Sequence, residues 1–269
     1  RSELGSVPWQ LTGNHWLALP CIHPADGAIH AIGLLHRGAR AAVEFAGHPD
    51  FLAGRGPALA RPILHVGGAA VNLSAHGMAW ERAHHWLPTF TCTAGSVVIR
   101  GTIVAPFGRD MDIAGAVYAL AIENRGDGPI EVTFGLEGTL GHRQLRVQSA
   151  RPVPGVHRIA ATDTGEIVLD GDDVPGFAAL ALAADEDATV TATPNAYALH
   201  RSATVEPGQR VESAFFIGAG PERDGALATV GVLRQRGWKA LLAGTRDALR
   251  TLEQASGLEA VDGVINRNL

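Results

Sequence analysis

The stretch "GAVYALAIENRGDGPIEVTFGLEG", Gly115 to Gly138, decides the fold class. Two runs rich in β-branched and aromatic residues flank the polar loop Arg125–Pro129. That composition reads as two strands, and a loop this short predicts an antiparallel hairpin. The same style continues in both directions. "AIHAIGLLH" (Ala28–His36) follows the turn-former "PADG", and "AAVEFA" (Ala41–Ala46) follows "RGAR". "SVVIRGTIVAPF" (Ser96–Phe107) and "RVESAFFIGAG" (Arg210–Gly220) add further strands. Strands recurring every ~8 to 12 residues, punctuated by Gly, Pro and Asp, predict a mainly β protein: a large antiparallel β-sandwich rather than a βαβ fold.

Near Gly220 the pattern changes. "PERDGALATVGVLRQRG" opens on Pro and acids and closes on Gly237, as a helix does. "WKALLAGTRDALRTLEQASG" carries Leu241, Leu242, Ala248, Leu249 and Leu252 at helical spacing. "LEAVDGVINRNL" begins a third helical pattern and stops within it. The expected organisation is a β-sandwich over 1–220, linker helices over 221–257, and the start of a helical domain over 258–269.

The order of these segments resembles the N-terminal "super-β-sandwich" region of six-hairpin glycoside enzymes. These are glycoside hydrolases and cellobiose-phosphorylase-like proteins that join such a sandwich to an (α/α)6 barrel. "YALAIENRGDGPIEVTFGLEG", "TVEPGQRVESAFFIGAG" followed by a helix, and "GVINRNL" carry the resemblance. It implies a bacterial carbohydrate-active context, with the catalytic carboxylates on a barrel that would begin at about Leu258. Carbohydrate and the barrel are then the expected partners. An apolar strip including the helices after Gly220 predicts association with such a partner or with a second copy.

Composition narrows the function classes. With 46% hydrophobic and 18% charged residues, the 269-residue chain reads as globular. A net charge of −5 offers no basic footprint for nucleic acid. No apolar run approaches the ~18 residues of a membrane span, and a cytoplasmic location is expected. Lys239 stands alone among arginines. Cys21 and Cys92 read as buried free thiols rather than a disulfide framework. No cofactor motif is present, neither a P-loop nor a G-x-G-x-x-G after a strand.

Candidate ligand residues cluster in "AWERAHHWLPTFT" (Ala79–Thr91). If Ala79–Leu87 is one extended strand, Trp80, Arg82, His84 and Trp86 share a face, while Glu81 and His85 take the other. Adjacent histidines then diverge, which removes a metal site. The Trp–Arg–His–Trp stripe suits a sugar ring, with indoles on its C–H faces and polar groups on its hydroxyls. Core filling or a domain contact is the simpler reading of the same residues. Asp110 and Asp112 in "GRDMDIAG" would share a face if extended, although turn acids are the simpler reading. "LDGDDVPG" (Asp170, Asp172, Asp173) reads as a solvated acidic loop. Glu137, His142, Arg143 and Arg146 follow the long hairpin, and Glu137 with His142 and the distant His84 has the residue types of a mutarotase-like acid–base set. Asn14, His15 and Trp16 precede the first clear strand, where an edge strand with a packed tryptophan is expected.

Overall fold

The computed structural model describes residues 10–36, 41–48, 56–146, 150–152, 157–171 and 178–268. Its strands form three antiparallel sheets, as the β-sandwich reading requires. Sheet I runs β1 (Gln10–Gly13), β2 (Leu17–Ile22), β3 (Ile29–His36), β4 (Ala41–Ala46), β12 (His142–Arg146) and β13 (Ala150–Pro152). Sheet II runs β14 (His157–Ala161), β15 (Ile167–Gly171), β16 (Ala179–Ala184), β19 (Arg210–Gly220), β10 (Gly115–Asn124), β9 (Val97–Val104), β8 (Leu87–Ala94) and β7 (Ala79–Ala83). Sheet III runs β17 (Thr189–Thr193), β18 (Ala196–Val205), β11 (Ile130–Gly138), β5 (Arg61–Val66) and β6 (Ala69–Ala70). The helices are α1 (Leu73–His76), α2 (Arg223–Arg236), α3 (Trp238–Arg250) and α4 (Glu259–Asn268).

The expected hairpin at Gly115–Gly138 is an arch instead. β10 pairs with β9 and β19, with Tyr118 opposite Ile103 and Phe215. β11 pairs with β5 and β18, with Phe134 opposite Leu64 and Arg201. The two strands therefore lie in different sheets. Side-chain pattern explains the separation. β10 is apolar on successive residues: Ala116, Tyr118, Leu120 and Ile122 enter the main core, while Val117 and Ala119 enter a second one. Such a strand has both faces covered. β11 alternates, with Val132, Phe134 and Leu136 in the main core and Glu131, Thr133 and Glu137 outside it, as a strand with one covered face must. Asn124 organises the arch. Its side chain is fully buried, donates to Gly128 O and Val205 O, and accepts from the Gly126 amide.

The second core lies between sheet II and the helices. Val104, Val117, Phe216 and Ala181 pack there against Ala226, Val230 and Leu233 of α2 and Leu241 and Leu249 of α3. α2 ends at Gly237, whose φ of 77° is a left-handed conformation that glycine adopts without steric cost. α3 is braced from the strand side by the 3-10 turn Gly108–Asp110 and by Thr245, which accepts from the Phe107 amide. Cys21 and Cys92 are both buried and unbridged.

Candidate functional site

Ala79–Leu87 is not one strand. β7 stops at Ala83 and β8 starts at Leu87, and the loop His84–Trp86 turns the chain back on itself. His84 and His85 both sit at positive φ, 50° and 67°. The expected stripe is therefore broken, and its members separate. Trp80 donates from Nε1 to Pro24 O at 2.6 Å and packs on Phe90 at the edge of the main core. Arg82 donates to Gln10 Oε1 at 3.2 Å. His84 Nδ1 lies 2.9 Å from Glu253 Oε1, just beyond α3. Trp86 packs against the helix-side core. Only Arg82 and Trp86 meet, at a cleft of about 250 Å3 that Thr245 and Leu249 of α3 also line.

The other candidates divide as well. Asp110 pairs with Arg236 and Asp112 with His15, each at 3.4 Å, because the 3-10 turn points them to different partners. Asp170 pairs with Arg158 at 3.3 Å, whereas Asp172 and Asp173 lie outside the described residues. Arg143 is 2% exposed and donates to Ala178 O and His157 Nδ1. The side chains of His142 and Arg146 lie outside the described residues. Glu137 and His84 do not converge: one pairs with Arg61, the other with Glu253. Among the described residues β1 is an edge strand, as expected, and Trp16 lines a cavity of about 740 Å3 with Leu34, Leu35 and Val232. Asn14 shapes the turn before it, accepting from the Trp16 and Leu17 amides and donating to Pro106 O and Ile113 O. Among the described residues, no group of three or more His, Cys, Asp and Glu is placed to hold a metal ion.

One constellation joins Glu137 to residues that sequence reasoning did not single out. Glu137 on β11 stands opposite Arg61 on β5, and their side chains form an ion pair on the outward face of sheet III. Two adjoining cavities share this pair. The larger, about 520 Å3, is also lined by Asp26, His65, Asn72 and Ser74. The smaller, about 320 Å3, is also lined by Thr139, Asn195 and Tyr197. The floor is rigid: Tyr197 donates to Leu59 O at 2.8 Å, and burial pushes its hydroxyl well above the ordinary tyrosine range. Asp26 is held by the Ala28 amide and by His23, whose Nδ1 lies 3.2 Å from its carboxylate. Burial alone would raise the Asp26 carboxyl, but the His23 and Ala28 hydrogen bonds outweigh it and hold it below 3.8. The signal available in sequence was the outward position of Arg61 and Glu137 on alternating strands, which marks them as surface rather than core.

No family model matches the chain, and no curated protein matches it. Solved structures do. A bacterial glucoamylase complexed with acarbose superposes with a TM-score of 0.51 at 8% identity, over 90% of this chain and 36% of that one. This chain has the fold of that part of the glucoamylase. A provisionally assigned kojibiose phosphorylase from the human microbiome matches at a TM-score of 0.49 and 12% identity, over 78% of this chain and 28% of that one. A galactose mutarotase related enzyme from Lactobacillus acidophilus matches at 0.46 and 10%, over 80% and 98% of the two chains. At the level of fold, the expected resemblance to glycoside enzymes holds for the matched part of the glucoamylase. The chain spans about a third of the glucoamylase and the phosphorylase it resembles.

Proposed function

We propose that this chain is the β-sandwich part of a bacterial carbohydrate-active enzyme, a glycoside hydrolase or phosphorylase, and that it packs against an (α/α)6 catalytic barrel and shapes one side of its sugar cleft. The observation that carries the reading is the helical end of the chain. α4 is amphipathic, and Val261, Val264, Ile265 and the preceding Leu258 are 42%, 61%, 38% and 64% exposed. A contiguous apolar strip of this kind marks a protein contact. It follows two helices that already pack on sheet II, which supports reading residues 258–269 as the opening of a helical domain. The likeness in fold to about a third of a bacterial glucoamylase supports the same arrangement. Arg82 and Trp86, at the cleft beside α3, are the members of the predicted stripe that would contact sugar or barrel.

The test compares residues 1–269 alone with the same residues joined to the helical domain. The joined protein is expected to cleave a glycosidic bond by water or phosphate, and the sandwich alone to cleave none. Cleavage by the sandwich alone would overturn the proposal, as would a reading frame with no barrel-sized helical region in it or beside it.

A further inference from the structure

We infer that the groove astride Arg61 and Glu137 is an oligosaccharide-binding site on the sandwich itself, one that takes a neutral chain of at least two sugar units across the ion pair. The inference rests on the reading of the chain as carbohydrate-active, but places a second site away from the cleft beside α3.

Size and shape come first. Two cavities of about 520 and 320 Å3 meet at one pair of side chains, each within the range of about 300 to 1,000 Å3 usual for small-ligand sites. A groove with two lobes and a shared waist suits a chain of repeating units better than a single compact ligand. The lining comes second. The larger lobe mixes Asp26, Asn72 and Ser74 with the aliphatic Ile63 and Leu73. A pyranose presents the same mixture, hydroxyls at its rim and C–H groups on its faces. Asp26 and Glu137 accept from hydroxyls, and Arg61 donates to ring and glycosidic oxygens.

Charge selects among sugars. Arg61 and Glu137 neutralise each other, and Asp26, 3.2 Å from His23 Nδ1, is the remaining carboxylate of the larger lobe, which His65 also lines. Asp26 stays ionised at neutral pH because its carboxyl is held below 3.8. A uronate-bearing chain would meet that carboxylate at close range, whereas a neutral chain meets only acceptors and donors. The waist is also exposed enough to be reached, with Arg61 and Glu137 side chains 53% and 37% accessible. An exposed ion pair adds little to stability, so its removal tests binding with the fold intact.

The experiment titrates residues 1–269 with glucose, maltose, maltotetraose, cellotetraose and trigalacturonate, using calorimetry and saturation-transfer NMR. A neutral tetrasaccharide is expected to bind with a Kd of about 1 mM, more tightly than glucose or trigalacturonate. Arg61→Ala and Glu137→Ala are each expected to weaken it about tenfold with Tm unchanged, and Arg125→Ala, in the arch loop just after β10, to leave it as it was. The inference fails if no neutral oligosaccharide binds at about 10 mM, if both groove variants bind like the parent, or if trigalacturonate binds as well as the neutral chains. Glycosidic cleavage by the joined protein reads the barrel proposal separately, so either reading can fail while the other stands.

Discussion

The Nδ2 of Asn124 donates to the carbonyl of Val205 at 2.9 Å, a bond from the end of a sheet II strand to the end of a sheet III strand. The same amide also holds Gly128 and Gly126 in the arch loop, with Asn124 completely buried. One side chain therefore closes the corner where the two sheets part. Asn124→Ala removes three hydrogen bonds, including the buried one to the Val205 carbonyl. It is expected to cost about 2 to 4 kcal/mol, read in urea as a lower midpoint with an unchanged m-value.

Sheet II is covered on both faces, so its helix side should be as sensitive as its sandwich side. Phe216 is fully buried against α2 and α3. Phe216→Ala is expected to cost about 3 to 5 kcal/mol. Thr133→Ala, on the outward face of sheet III where the exposed hydroxyl hydrogen-bonds with Ser202, should change stability by no more than about 0.5 kcal/mol. Equal losses at both positions would contradict the two-core architecture.

Gly108 holds the brace beneath α3. Its φ is +72°, and an added Cβ would lie 2.5 Å from the Ala248 Cβ. Gly108→Ala combines a left-handed alanine with a clash against the helix, and a loss of about 2 kcal/mol or more is expected. Hydrogen exchange should quicken first along α3, because the clash falls there.

Acid should weaken the fold in two steps. Burial pushes His30 below 6.5, so the folded protein holds it neutral, and stability falls as pH drops below 6.5 towards its folded value. Asp26, depressed below 3.8, contributes stability that is present above that value and lost as pH falls through its folded value. Tm measured from pH 8 to pH 2 should show both losses. Asp26→Asn should flatten the lower one, and an unchanged profile would show that the carboxylate contributes nothing.

The fold class was legible because strand composition and turn chemistry are local properties. β3, β4, β9 and β19 fall within the runs that marked them, and α2 ends at the predicted Gly237. Which strands pair is not local. The loop Arg125–Pro129 serves an arch as readily as a hairpin, and the distinguishing sign was the contrast between continuous burial in β10 and alternation in β11. The stripe at Ala79–Leu87 failed for a different reason. His84 and His85 take left-handed conformations that glycine or asparagine usually signals, so no residue type announced the turn. Of the charged groups in the groove, Glu137 drew notice and Arg61 and Asp26 did not, since the three come together from separate parts of the chain.

The arch also governs the order in which the protein can assemble. Gly115 finds its partner at Gly218, and Ile130 finds its partner at Val205. During synthesis, β10 and β11 therefore leave the ribosome long before β18 and β19 exist. Each waits with one unpaired edge through most of the remaining chain, when strand edges are most open to pairing with other molecules. Such distant partners predict slow folding and a nascent chain that depends on chaperones until its last strand emerges.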